Sequence, residues 1–324
     1  MQILTKVQHV MLAGLVLVGF SYTLKAQPTN FNTSRNWALH KKEVYFGLGA
    51  TQFLGDVGGG KGEGRQKTFL DLNFPATRIG GHVGFRYRFH PMFATKTHLN
   101  IGMVSGDDAL SKDEIRFNRN LHFRSIIIEL SQQLEFILWS NEQVGRRYRV
   151  PGLKGFKNKA SQIYLFGGIG IFYYNPQARY NGSWTSLRPL GTEGQNFDDG
   201  AKKYGPVSVS IPMGLGFKVG IGRTWKLGME FAYHMTFTDY IDDVSTVYYN
   251  EAALAAQDPV AASLANPTLR PDWFNSNSGS NQRGNSKDRD ALFFVNVTLI
   301  KNITYSNRTV GKTSVRWRSV KAKF

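Results

Sequence analysis

The chain has 324 residues, with 40 Lys and Arg against 23 Asp and Glu, a formal net charge of +17, and no Cys. The missing thiol excludes a lipoprotein anchor, a disulfide framework and a Cys-based metal site. The length suits one large domain or two small ones, and 34 Gly with 13% aromatic residues fit many strands and tight turns.

The first residues read as a secretory signal peptide. Lys6 gives a positive start, and 10–20 form an apolar run too short to cross a bilayer as a helix. Cleavage is expected after Ala26, leaving 27–42 as a periplasmic linker. No later stretch reaches the roughly 18 apolar residues of a transmembrane helix. A secreted chain can still span a membrane as a closed barrel, because only closure satisfies every backbone group in lipid. Such barrels hide from hydropathy profiles, so the mean hydropathy of −0.31 is no objection.

Alternation of apolar and polar residues marks the strands. Weak alternation covers 43–54. Ile79, Val83, Phe85, Tyr87 and Phe89 then alternate with Arg78, His82, Arg86 and Arg88. A second weak copy covers 94–105. Ile126, Ile128, Leu130, Leu134, Phe136 and Leu138 alternate with Glu129, Ser131, Gln133 and Glu135, and Ile163 to Tyr173 follow the same rule. The clearest runs are 207–221 and 225–237, whose second faces carry Lys218, Lys226, Glu230 and His234. A last run covers 291–305. Membrane barrel strands need about 9–11 residues, whereas soluble strands average about 5–6. The expectation is an all-β fold: an eight-stranded antiparallel transmembrane β-barrel of the outer membrane, spanning 43–305, with long extracellular loops. A soluble β-sandwich is the competing architecture.

Connections near 90–92 and 223 are short, whereas 55–77, 106–120, 175–206 and 238–290 are long. Barrels of this class keep short turns and both termini periplasmic. Connection 140–160 is a long exception on that side. The four long loops hold 18 of the acidic residues and 14 Lys and Arg. The inferred periplasmic side is basic instead. Connection 140–160 carries Arg146, Arg147, Arg149, Lys154, Lys157 and Lys159, and the tail 306–324 carries Arg316, Arg318 and Lys321. Such a patch favours an acidic protein partner or anionic headgroups, and nucleic acid is not expected as a partner.

Residues facing inward should pair. Arg86, Arg88, Lys218 and Lys226 are set against Glu129, Glu135 and Glu230, because isolated buried charge is costly. A plugged lumen is therefore expected. His82 and His234 also point inward, as packing residues, not as a metal site. Asp239, Asp242 and Asp243 could hold calcium, but without EF-hand spacing they read as turn-forming and solvated. Residues 56–62 are glycine-rich yet lack a P-loop ending, so they read as a flexible loop tip. The stretch 250–290 reads as a mobile loop. No catalytic, cofactor or metal residues emerge.

Several runs also carry a resemblance. FLGDVGG (53–59), YLFGGIGIFYYN continuing PQARYNGSW (from 164), LRPLGTEGQ (187–195) and TDYIDDVSTVY (238–248), in this order, resemble the PorG-like outer-membrane barrels of the Bacteroidetes type IX secretion system. The resemblance implies a non-enzymatic component of a protein export apparatus, associated with a periplasmic ring of PorK and PorN proteins and surrounded by outer-membrane lipid and lipopolysaccharide. The basic residues named above are then the candidate ring contact. The alternatives are a small barrel enzyme (lipid A modifying or a protease) and a passive structural barrel.

Overall fold

The computed structural model describes residues 41–58, 74–111, 113–141, 161–221, 224–270 and 282–303. Among these, nine strands form: β1 (Lys42–Leu54), β2 (Arg78–His90), β3 (Phe93–Asp107), β4 (His122–Asn141), β5 (Ser161–Tyr180), β6 (Ser183–Ser186), β7 (Val207–Gly220), β8 (Trp225–Thr236) and β9 (Ala291–Asn302). Eight of them close into an antiparallel barrel in the order β1-β2-β3-β4-β5-β7-β8-β9. The seam runs from Glu43 opposite Asn302 to Leu54 opposite Ala291. Closure leaves no open edge in the barrel wall.

Alternation decides which face is which. Leu130 is 58% exposed and Ile169 69%, while Glu129 between Ile128 and Leu130 is fully buried. Leu48, Ile79, Val83, Ile101, Ile171, Val209, Phe217, Leu227 and Val297 extend this outward apolar face around the wall. A belt of that extent is stable only in an apolar medium, so the barrel is built to sit in lipid. The polar exceptions satisfy each other. Gln132 Nε2 donates to Thr95 Oγ1 (2.5 Å), and Thr97 Oγ1 donates to Gln132 Oε1 (2.7 Å).

The wall has two unlike ends. At one, which we call the terminal end, β1 begins, β9 ends, and β2–β3 and β7–β8 are joined by short turns. The loop end holds the longer connections. There β4 and β5 each run for 20 residues. At about 3.3 Å per residue and a tilt near 45°, each rises roughly 45 Å, well above a hydrocarbon core of about 30 Å.

Three expectations about the loop end need correction. First, the expected connection 175–206 is partly strand: β5 continues through Asn175 and Pro176 to Tyr180, and residues 183–186 return as a ninth strand. Pro176 has no N–H for the ladder. It is tolerated above the point where β5 leaves β7, and its carbonyl accepts Leu187 N (2.9 Å). Asn181 (φ 47°) and Gly182 (φ 84°) then make the left-handed pair of a tight hairpin. Second, residues 250–270 are folded. Helices α2 (Glu251–Gln257) and α3 (Pro259–Ala265) follow α1 (Glu114–Arg119) of the β3–β4 connection. Asn250 caps α2 by accepting Ala252 N and Ala253 N, and Asp258 caps α3 with Pro259 in its first turn. The alanines that look like loop filler are good helix formers. Third, Asp56, Val57 and Gly58 are buried, not a loose tip; residues 59–62 lie outside the described residues.

Replacing a belt residue with a charge tests this orientation of faces. Leu130→Arg should lower folding stability in lipid vesicles by about 2–4 kcal/mol, the cost of Arg near a bilayer midplane. Leu269→Arg, at the loop end, should change it little. Urea titrations followed by tryptophan fluorescence would check both.

Candidate functional site

The lower lumen is a charge network built from residues on six strands. Glu43 of β1 is fully buried. Its Oε2 accepts Arg86 Nη1 (3.0 Å) and Lys218 Nζ (3.2 Å), and its Oε1 accepts Lys226 Nζ (2.7 Å). Arg86 Nε also donates to Glu135 Oε2 (2.5 Å). One layer further from the terminal end, Glu230 Oε1 accepts Lys96 Nζ (2.9 Å) and Tyr164 OH (2.5 Å). Lys96 Nζ also sits 4.2 Å from the centroid of the Phe166 ring. His234 Nδ1 lies 2.7 Å from Glu129 Oε2, and His82 Nε2 lies 2.9 Å from Thr298 Oγ1. The two large tyrosines fit because glycines face them. A Cβ on Gly216 would overlap the Tyr164 ring, and one on Gly84 the Tyr45 hydroxyl. Side chains thus fill an eight-stranded lumen.

The upper lumen is apolar. Phe53, Val104, Phe123, Ile127, Phe172, Leu292 and Phe294 pack together, and Ile241 and Val244 of the β8–β9 connection descend into the same cluster. That connection stoppers the barrel mouth.

Above it the connections interlock as a cap. Val57 N donates to Asp242 Oδ2 (3.0 Å), and Asn285 N to Asp56 Oδ2 (2.6 Å). Thr192 Oγ1 donates to Asp243 Oδ2 (2.5 Å), and Ser245 N to Glu193 Oε1 (2.9 Å). Two buried guanidinium groups tie these together. Arg119 donates to Asp108 Oδ2 (2.7 Å), the Asp56 carbonyl (2.7 Å) and the Arg283 carbonyl (2.6 Å). Arg283 donates to Glu193 Oε1 (3.0 Å) and the Asp243 carbonyl (2.6 Å). Buried ionic groups need such complete pairing to be tolerated.

Asp56, Asp239, Asp242 and Asp290 lie near one another. Burial pushes Asp242 and Asp290 well above the usual carboxylate range, and the neighbouring carboxylates push the same way. Burial also raises Asp243 to about 6 against the pull of Arg283 and of hydrogen bonds from Thr192 and Tyr204. Asp243 has a left-handed backbone (φ 66°), which is uncommon outside glycine. The expectation that Asp239, Asp242 and Asp243 are solvated turn residues is therefore overturned. All three are buried, because the strand ends and connections close over them. Among the described residues no group of three or more His, Asp or Glu could hold a metal ion.

The inward residues named from sequence all lie in the lumen. Arg86, Glu135, Lys218 and Lys226 gather at the terminal end, and Glu230 and Glu129 lie in successive layers above. Arg88 is buried beside the β2–β3 turn, where its Nη2 donates to the Pro91 carbonyl (2.5 Å). Sequence reasoning missed Glu43, the centre of the network, and Lys96. Both sit on the two strands with weak alternation. On β3 the outward positions Thr95 and Thr97 are polar, so the faces look alike. The basic residues Arg146, Arg147, Arg149, Lys154, Lys157, Lys159, Arg316, Arg318 and Lys321 lie outside the described residues.

The sequence profile of a family described as a domain of unknown function (DUF6089) matches residues 31–254. The chain belongs to the DUF6089 family. The match takes in β1 to β8 and the first turn of α2, and so most of the barrel and the cap motifs. No curated protein matches this DUF6089 chain. Solved structures similar to it include Ail, the attachment invasion locus protein of Yersinia pestis, in complex with a heparin analogue. That match has 8% identity and a TM-score of 0.31, covering 81% of this chain and 98% of that one. The N-terminal β-barrel domain of Pseudomonas aeruginosa OprF has 8% identity and a TM-score of 0.30, with 81% and 97% covered. Neisserial surface protein A has 7% identity and a TM-score of 0.30, with 81% and 96% covered.

Two outcomes follow from the charges. Glu43→Gln leaves three buried cations short of their shared carboxylate and should destabilise the barrel by about 3–5 kcal/mol, the usual cost of breaking a buried pair. Removing one of those cations as well, in Glu43→Gln with Lys226→Met, should recover part of that loss; a double-mutant cycle measured by chemical unfolding checks it. In the cap, carboxyl groups raised on folding favour the folded state at low pH, below their unfolded values near 4. That stability is lost as pH rises through about 6 for Asp243 and through the raised values of Asp242 and Asp290. Exchange at Val57, Ile241 and Val244 amides, corrected for intrinsic rate, should accelerate over that range, and Asp290→Asn should flatten the rise.

Proposed function

We propose that this protein is a non-enzymatic outer-membrane component of a type IX protein secretion system, with the terminal end periplasmic and the cap outside the cell. In this role the barrel anchors or docks a periplasmic ring of PorK and PorN type through the basic segments 140–160 and 306–324.

The observation that carries the reading is the convergence of the motif runs that carry the PorG-like resemblance. FLGDVGG supplies Asp56 and Val57, LRPLGTEGQ supplies Thr192 and Glu193, and TDYIDDVSTVY supplies Asp242, Asp243 and Ser245. Runs far apart in sequence meet in one hydrogen-bonded cap. This supports treating them as one inherited structural unit, not as chance matches in separate loops. The plugged lumen supports a structural role over a passive pore. Many polar groups of the lumen and cap are engaged with one another, and among the described residues no nucleophile is set beside a base with an open face to substrate; this supports a non-enzymatic role over a barrel hydrolase or acyltransferase. The apolar belt and closed ladder support an outer-membrane location, because only closed barrels can cross lipid with strands.

The test is charge reversal. Changing Arg146, Arg147, Arg149, Lys154, Lys157 and Lys159 to Glu, together with Arg316, Arg318 and Lys321, should abolish co-purification of ring proteins after mild crosslinking of native membranes. The barrel should remain folded, as its heat-modifiable mobility in gels would show. Undiminished ring recovery with the reversed protein would sink the electrostatic docking idea.

A further inference from the structure

Above the apolar belt, β4, β5 and β6 present a compact outward patch. Arg124 stands two residues beyond Ile126, the last exposed apolar side chain of β4 on the way to the loop end. That step raises it about 7 Å along the strand. Its guanidinium carbon lies 4.0 Å from the centroid of the Trp184 ring, and its Nε donates to Gln177 Oε1 (3.0 Å). Trp184 is held by the tight Asn181-Gly182 hairpin, directly opposite Arg179 in the β5–β6 ladder. His122, two residues before Arg124 on β4, packs edge-on to the same indole at 6.4 Å. Its Nε2 accepts the Arg179 backbone N–H (3.0 Å). Arg124 and Arg179 form no ion pair among the described residues. Asp107, opposite His122 in the β3–β4 ladder, has its carboxylate engaged with Ala109 N (2.9 Å).

Arg179 and Trp184 on a tight hairpin, with Arg124 beside them on β4, stand at the upper edge of a lipid belt and match the headgroup zone of a bilayer. A second arginine–aromatic pair, Arg289 over Phe237 (5.2 Å), marks the loop end above β8. Guanidinium groups suit phosphate in particular, through paired N–H donors.

We propose that Arg124, Arg179 and Trp184 form a docking site for a phosphate of lipid A, the glycolipid of the outer leaflet. The proposal rests on the outward orientation of the loop end argued above. The indole packs on the sugar or acyl edge and holds the Arg124 fork in place, while Arg179 supplies the second charge.

The full-length protein in detergent micelles, titrated with bisphosphorylated lipid A and with the same lipid dephosphorylated, tests the site by native mass spectrometry. Tighter retention of the phosphorylated form is expected. Arg179→Gln, which leaves the Arg124–Trp184 stack intact, should weaken that preference roughly five-fold, and Arg124→Ala with Arg179→Gln should weaken it further. Arg124→Lys keeps the charge without the paired N–H fork and should fall between the unchanged protein and Arg124→Ala, which separates loss of the fork from loss of charge. Equal retention of the two lipids, or a preference unchanged in the double variant, overturns the proposal. So would equal retention of phosphatidylglycerol, which would make the patch a general anion surface. Because the chain has no Cys, Ser183→Cys gives a single label site. Labelling of intact cells by a membrane-impermeant maleimide is expected. Labelling only after permeabilisation overturns the orientation and the lipid A source together, whatever the titration shows.

Discussion

A single carboxylate ties the lower barrel together. Glu43 accepts cations from β2, β7 and β8 while lying on β1, so one side chain bridges opposite walls of the lumen. In a medium without water the three cations have no other solvent, and the carboxylate has no other counter-ion shell. The network therefore imposes register as well as compensation. A slip of β1 by one residue would turn Glu43 toward lipid and Val44 toward the cations. The glycine positions follow from the same demand, because long polar side chains and two tyrosines reach across a narrow space only where facing positions lack a Cβ.

The fold was legible because lipid imposes a simple code. Outward positions must be apolar and inward ones need not be, so β7 and β8 declare themselves over more than ten residues each. The code fails where outward residues are polar but satisfied locally. Thr95 and Thr97, bonded to Gln132 of β4, blur β3 in that way, and Lys96 was overlooked with them. It also fails above the membrane, where the medium no longer sorts the faces. There the sequence signals were local and competing. The stretches 175–206 and 250–290 read only as long connections, yet the first holds the Asn181-Gly182 hairpin and the second two short helices. Asp242 and Asp243 find their partners in three separate connections, and no short window of sequence contains them all.

Cap and plug solve the same problem in different ways. In the lumen nearly every carboxylate meets a cation or a donor. In the cap two arginines serve several acceptors each, while other carboxylates rely on backbone N–H groups and on raised proton affinity. The cap is thus the part of the molecule whose internal electrostatics depend on the surrounding solution, and it stands at the end that projects beyond the apolar belt. The belt itself is indifferent to that solution.

The seam between β1 and β9 joins the two extremes of the barrel sequence. Loop-closure entropy for such a contact must be met before its hydrogen bonds form, so pairing of this kind is intrinsically slow. Until β9 arrives, β1 offers an unsatisfied edge and Glu43 is only partly enclosed. The cap inherits the same delay, since Asn285 and Arg283 approach their partners only when β9 is in place. Assembly is therefore weighted toward its last step. A chain interrupted before its final strand lacks not one-eighth of a barrel but the closure on which both plug and cap depend.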